Sequence, residues 1–210
     1  MHLFEPLKKL EILKDVYLLS EFVTPFENQL LNDLHVVIQT APLRQMMTPS
    51  GFPMSVTTVN CGQLGWISDK KGYRYSSVDP LSNKPWPAMP ESFKQLAQHA
   101  ASTAGFADFE ADACLINCYQ PNTKMGLHQD KDEQDFTQPI VSVSLGVPAM
   151  FQIGGFKRSD KALKLPLYHG DVLVWGGESR LRFHGVLPIK AAVHPAFGER
   201  RINLTFRKAG

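Results

Sequence analysis

The chain has 210 residues, 43% of them hydrophobic, enough to bury a single sizeable core and typical of an all-β barrel with an N-terminal extension. Its formal net charge of +2 admits an anionic partner, but strongly basic tracts are missing. Cys61, Cys114 and Cys118 are odd in number and lack C-x-x-C spacing, which argues against a zinc site or a disulfide framework and for a reducing cytoplasm. With no signal-peptide pattern and no apolar run of about 18 residues, a cytoplasmic monomer without membrane contact or an obligate protein partner is expected.

Residues 1–19 mix apolar and basic side chains without a clear period and read as a packed arm. Thr24-Pro25-Phe26-Glu27 has the makings of a helix start, with Thr24 as N-cap, Pro25 at the first helical position and Glu27 closing a capping box. That helix is predicted to run to residue 39 and to bury Leu30, Leu31, Leu34, Val37 and Ile38 as a buttress for a sheet. Arm and helix together occupy residues 1–44 of one domain spanning residues 1–210.

Residues 45–90 are rich in Gly, Pro, Ser, Asn and aromatic residues, with short alternating runs at 55–60 and 72–76. Hairpins and loops are predicted there. Trp66, Tyr73 and Tyr75 lie beside Lys70, Lys71 and Arg74. Aromatic faces next to cations hold unstacked bases, although rings that close the end of a barrel carry the same pattern.

A second helix is predicted over residues 91–104, with Phe93, Leu96, Ala97, Ala100, Ala101 and Ala104 on one face and Gly105 as its stop. His99 lies off that stripe and reads as solvated. From residue 91 onward this helix leads into a core of short strands, predicted at 113–119, 140–145, 150–153, 163–167, 172–175, 182–186 and 201–206. Their spacing gives the fold class: mainly β with flanking helices (α+β), two sheets of jelly-roll type. Gly154-Gly155 and Gly176-Gly177 read as turns without phosphate-loop spacing. His2, His35, His169 and His194 have no partners at ligand spacing.

Within that series, Leu127-His128-Gln129-Asp130 places two ligating side chains on the same side of an extended segment. With His184 in the later strand they form a candidate facial triad. Two imidazoles and one carboxylate leave three adjacent coordination positions open, which suits Fe(II) enzymes that hold a co-substrate and dioxygen together. By spacing alone, a solvated turn with a satisfied core histidine competes with this reading.

The last strand sets Arg201, Asn203, Thr205 and Arg207 on one face and Ile202, Leu204 and Phe206 on the other. It is either an edge strand with its polar side in water or a wall whose guanidiniums face inward to grip carboxylates. Asn117 and Tyr119 share a face of the strand before the triad. Asp132 and Glu133 read as a solvated acidic turn or as carboxylates that favour a cationic ligand.

The segments L-H-Q-D-K-D-E (127–133), W-G-G-E-S-R (175–180), F-H-G (183–185) and R-I-N-L-T-F-R (201–207) together resemble the AlkB family of Fe(II)- and 2-oxoglutarate-dependent DNA-repair dioxygenases. N-C-G-Q-L-G-W (60–66) and N-K-P-W-P-A-M-P (83–90) extend the likeness from about residue 48 to the C-terminus. The resemblance implies a double-stranded β-helix, cupin-like in its jelly-roll core, with residues 45–90 as a nucleotide-recognition lid. It implies Fe(II) on His128, Asp130 and His184, and 2-oxoglutarate on Asn117, Tyr119, Arg201, Asn203 and Arg207, with Arg201 at the distal carboxylate. It further implies an alkylated base, in single- or double-stranded DNA or in RNA, beside Trp66, Tyr73, Tyr75, Asp132, Glu133 and Arg158. The implied reaction consumes O2, hydroxylates the N-methyl carbon of 1-methyladenine or 3-methylcytosine, and releases formaldehyde, succinate and carbon dioxide.

The chain departs from the family pattern at three positions. Thr58 stands where a bulkier apolar residue is expected, Phe52 where a tyrosine would supply a hydroxyl, and Cys118 where the residue is larger. Three rival functions stay open at this level: an oxygenase acting on RNA or protein, a non-enzymatic metal binder, and a module that detects damage without oxidising it. Arg201 and Arg207 count against the last two, since a binder needs no co-substrate clamp.

Overall fold

The computed structural model describes residues 8–210. Strands β1 (Lys9–Leu13), β2 (Val16–Leu19), β3 (Arg44–Met47), β4 (Pro53–Gly62), β5 (Gly65–Asp69) and β6 (Gly72–Ser76) flank helix α1 (Glu27–Thr40) or follow it. Two short strands, β7 (Val78–Asp79) and β8 (Lys84–Pro85), precede helix α2 (Glu91–Ala104). Then come β9 (Ala113–Tyr119), β10 (Met125–His128), β11 (Ile140–Gly146), β12 (Ala149–Ile153), β13 (Leu163–Leu167), β14 (Val172–Trp175), β15 (His184–Val186) and β16 (Arg201–Arg207).

Eight strands form one antiparallel sheet in the order β1-β2-β14-β11-β16-β9-β4-β3, and four form a second in the order β10-β15-β12-β13. The two sheets make the expected jelly roll. The larger sheet has two unlike faces because its strands alternate. Ile202, Leu204 and Phe206 of β16 join Ile116, Val141 and Val143 on the outer face, where Leu30, Leu34, Val37, Phe93 and Leu96 of the helices cover them. Each such side chain contributes about 1.5–3 kcal/mol on burial, so this face is where the helices are held. The alanines of α2 let it lie close, and Phe93 meets Phe206 edge-on at 5.9 Å between ring centroids. The inner face packs Val56, Ile140 and Leu173 against Phe151, Ile153 and Val186 of the smaller sheet.

β16 is no edge strand. It lies between β11 and β9, all seven of its residues are buried, and its polar side chains look into the space between the sheets. Cys118 turns to the helix side, opposite Asn117 and Tyr119, as its place in the alternation requires.

Two readings of the sequence are corrected. The predicted arm is a hairpin from residue 9: β1 pairs with β2, which continues the large sheet beside β14; residues 1–7, including His2, lie outside the described residues. The capping box does not form. Thr24–Phe26 make a turn of 3-10 helix, α1 starts after Phe26 without a side-chain cap, and Glu27 instead meets His169 Nε2 at 3.0 Å. His99 is exposed, as its place off the apolar stripe implied, and one side of its ring lies 5.0 Å from that of Phe22. The stop at Gly105 holds: it adopts φ 104°, a left-handed cap that glycine takes without steric cost. No helix among the described residues is long and apolar enough to cross a membrane.

Candidate active site

β10 and β15 pair so that His128 stands directly across from His184. Their approach depends on Gly185, where a Cβ would lie 2.7 Å from the Met125 carbonyl oxygen. The chain leaves β10 and turns Asp130 back between the two rings, with Gln129 Nε2 donating to the Leu181 carbonyl at 2.6 Å. His128 Nε2 is then 3.6 Å and His184 Nε2 3.7 Å from the two Asp130 carboxylate oxygens. One ligand atom from each residue falls within 4.8 Å of the others, the one such cluster among the described residues.

Each imidazole also has its other nitrogen placed. His128 Nδ1 lies 2.8 Å from the Gly126 carbonyl and His184 Nδ1 3.0 Å from that of Arg182. A carbonyl only accepts, so these contacts fix Nδ1–H and turn the Nε2 lone pair inward, the usual support for a metal-bound histidine. Burial, helped by the neighbouring His128, lowers the His184 pKa to about 4, so its ring is neutral at physiological pH. Burial pushes the Asp130 carboxyl up, but the Arg207 guanidinium beside it does most to outweigh that and keep the group ionised. Arg207 donates to Asp130 Oδ2 from Nε at 3.0 Å and Nη2 at 2.7 Å.

The triad opens into a cavity of about 370 Å³ whose wall includes Asn117, Tyr119, Asn203, Thr205 and Arg207. Register explains the set, since Asn203 lies opposite Asn117 and Arg201 opposite Tyr119. Small hydroxyls from β11 complete it: Asn203 Nδ2 donates to Ser142 Oγ at 2.9 Å, and Arg201 Nη2 to Ser144 Oγ at 3.0 Å. Arg201 is 1% exposed. Its guanidinium lies 5.0 Å from the Tyr119 ring centroid, and among the described residues Nε and Nη1 find no hydrogen-bond partner, nor does Asn117 Oδ1. A buried cation without an anion costs several kcal/mol unless one arrives. Arg201 does not itself line the cavity, whereas the Tyr119 ring against its guanidinium does; a carboxylate that reached Arg201 would meet this deficit.

The opposite wall comes from the β5–β6 hairpin. Trp66 stacks on Tyr73, ring centroids 5.5 Å apart and planes 13° from parallel, and its Nε1 donates to Asp132 Oδ2 at 2.8 Å. All three line the cavity, as do Lys131 and Arg158. Arg158 reaches the Leu127 carbonyl and lies over the Phe183 ring at 5.3 Å. Of the basic residues near the rings, Arg74 is paired with Asp69 at 2.7 Å.

Tyr75 and Glu133 are placed differently from the other expected base contacts. Neither lines the cavity. Glu133 is not on a solvated turn; it is buried, accepting from the Tyr75 hydroxyl at 2.6 Å and from Arg180 Nη2 at 3.1 Å. Thr58 is fully buried, across from Asn117, with Oγ1 unpartnered among the described residues. Phe52 is 70% exposed in the β3–β4 turn.

The sequence model of the 2OG-Fe(II) oxygenase superfamily matches residues 15–207. The chain is 56% identical over 193 residues to the alpha-ketoglutarate-dependent dioxygenase AlkB of Escherichia coli (strain K12), covering 92% of this chain and 89% of that one. The chain belongs to the AlkB family of 2OG-Fe(II) oxygenases. It is also 34% identical over 171 residues to the DNA N(6)-methyladenine demethylase ALKBH1C of Arabidopsis thaliana, covering 69% of this chain and 38% of the relative. The solved structure of OsALKBH1 superposes with a TM-score of 0.81 at 28% identity, covering 96% of this chain and all of that one. Family membership makes Fe(II) the metal and 2-oxoglutarate the co-substrate, in agreement with the triad and the unpartnered Arg201.

Reading the sequence missed Ser142, Ser144 and Arg180. The two serines carry a usable signal, alternating with Val141 and Val143 in a strand whose other residues are apolar. Arg180 carries none, because its partners Glu133 and Gln138 lie more than 40 residues away.

Proposed function

We propose that this chain reverses N-alkylation of nucleobases in DNA or RNA by oxidative demethylation, working in a reducing cytoplasm where its three buried cysteines stay free. One observation carries the reading. A single cavity is lined both by the metal triad and by Trp66, Tyr73 and Asp132, so a base held by the rings presents its substituent to the metal.

His128, Asp130 and His184 hold Fe(II). Arg201, with Tyr119 against its guanidinium, takes the distal carboxylate of 2-oxoglutarate, Asn117 and Asn203 flank it, and Arg207 steadies the metal end. The bound iron and keto acid supply, with dioxygen, hydroxylation of the N-methyl carbon, which breaks down to formaldehyde and the unmodified base as succinate and carbon dioxide leave. Trp66 offers its face to a base, with its plane fixed by Tyr73 and Asp132. The Asp132 carboxylate at the cavity wall favours the cationic rings of 1-methyladenine and 3-methylcytosine over neutral bases. Arg158 closes the outer side, while Tyr75 and Glu133 support the wall from behind. A duplex lesion must leave the stack, at a few kcal/mol, and alkylation that blocks pairing lowers that cost.

The test is release of formaldehyde and succinate from a single-stranded oligonucleotide carrying 1-methyladenine, with Fe(II), 2-oxoglutarate and ascorbate. Both products are expected from the wild type and neither from His128→Ala. Succinate without base repair would retain the oxygenase and remove the substrate.

A further inference from the structure

The hairpin that roofs the cavity is tied to the co-substrate arginine through one buried carboxylate. On β6 the Tyr75 hydroxyl donates to Glu133 Oε1 at 2.6 Å, and Arg207 Nε lies 3.4 Å from a Glu133 oxygen of the same name. The other Glu133 oxygen accepts from Arg180 Nη2 at 3.1 Å. Arg180 is in turn fixed to the backbone, Nη1 to the Asp130 carbonyl at 2.8 Å and Nε to the Gln138 carbonyl at 3.0 Å. The Glu133 and Arg180 side chains are 2% and 3% exposed, so these charge-assisted contacts act where water does not weaken them. Arg207 therefore stands between two carboxylates, one a metal ligand and the other the anchor of the hairpin.

We propose that Glu133 is a positioning residue that couples closure of the β5–β6 hairpin to the seating of 2-oxoglutarate against Arg207. The ligands' identities rest on the function proposed above; the coupling rests on the contacts. A carboxylate seated against Arg207 would compete with Asp130 for the guanidinium, and Glu133, 3.4 Å from Arg207 Nε, would follow its shift. Any shift of the Glu133 carboxylate reaches the Tyr75 hydroxyl. Tyr75 pairs across the hairpin with Trp66, the ring that stacks on Tyr73 and bonds Asp132. Binding at the floor thus orders the roof, and by linkage a nucleic acid that orders the roof tightens co-substrate binding by the same factor.

The experiment uses the full chain loaded with Mn(II) in place of Fe(II), so that both ligands bind without turnover. Hydrogen exchange across residues 65–76 is measured with and without 2-oxoglutarate in the wild type, Tyr75→Phe and Glu133→Gln. In the wild type the co-substrate is expected to slow exchange by about fivefold or more, the lower end of ordinary coupling. Tyr75→Phe keeps the ring and loses only the hydroxyl, and the slowing should vanish. Glu133→Gln keeps an acceptor for Tyr75 but loses its ionic hold on Arg207, and the slowing should vanish there too, which a merely structural role for Glu133 would not produce. In a second arm, the affinity for a methylated oligonucleotide should rise with 2-oxoglutarate in the wild type and not in Tyr75→Phe. The proposal is overturned by a wild-type hairpin indifferent to the co-substrate, or by variants that keep the wild-type gain. An oligonucleotide that fails to bind the wild type removes the nucleic-acid reading, and the exchange data alone then decide the coupling.

Discussion

The floor and the roof of the cavity are built on different principles. The floor is the buried polar row of β9 and β16 with the triad at its end. Its side chains are set by strand register, bonded to neighbouring strands, and left with one cation, Arg201, that the described residues do not neutralise. The roof is a two-stranded hairpin separate from both large sheets, with Tyr73 51% exposed. A rigid floor with a standing charge deficit selects one small anion. Under the proposed function, a roof of stacked rings on a two-stranded hairpin would take a flat ligand, so that chemistry and recognition fall to parts built in different ways.

The largest effect that can break this division is expected at the triad. Asp130→Ala should abolish metal-dependent turnover, read as loss of both succinate and formaldehyde, and should leave Arg207 without its main carboxylate partner. Next comes the floor's charge. Arg201→Met removes a buried cation, so the protein without ligand should gain stability, by about 1–3 kcal/mol in thermal or denaturant unfolding, while losing the co-substrate contact proposed for it. Equal or lower stability would mean that the guanidinium is already satisfied. A smaller effect is expected at the roof. Tyr73→Ala removes the support beneath Trp66, and since stacking is worth about 1–3 kcal/mol per base, KM for the oligonucleotide should rise by roughly tenfold while 2-oxoglutarate affinity in its absence stays put.

The smallest effect concerns how the segment beneath the hairpin is pinned. Burial raises the Asp79 carboxyl, but its bonds from Arg44, at 2.7 and 2.8 Å, outweigh burial and lower it below the ordinary value. A depressed carboxylate stabilises the fold above its unfolded pKa of about 3.9 and loses that contribution as pH falls through the folded value. Asp79→Asn should therefore flatten the acid limb of the stability curve and change nothing in its slope above pH 5. A variant whose acid limb matches the wild type would show that the Arg44 bonds do not set this carboxyl.

Much of the floor was legible in the sequence because its strands are regular. Alternation in residues 201–207 maps directly onto side-chain direction and the structure keeps it, while the H-x-D pair converges by a turn, since β10 ends at His128 and Asp130 lies beyond it. The roof was legible as composition, Trp66 and Tyr73 beside charged residues, but its bonding was not. Tyr75 and Glu133 are 58 residues apart, and nothing local in D-K-D-E separates an acid that faces the cavity from one that is sealed behind it. The arm at residues 9–19 hid a hairpin because the alternating run in β1, Lys9 to Ile12, is short and the strand is largely exposed, so its apolar residues mark no buried face. The capping box failed for a tertiary reason, since His169, 142 residues away, takes the Glu27 carboxylate.

The most direct test is calorimetric titration of 2-oxoglutarate into Mn(II)-loaded wild type and Arg201→Met. One molecule should bind the wild type, and the affinity of the variant should be lower by on the order of 10- to 100-fold, the loss expected when a buried charge-assisted contact is removed. Equal affinities would place the distal carboxylate elsewhere and contradict the assignment of the floor.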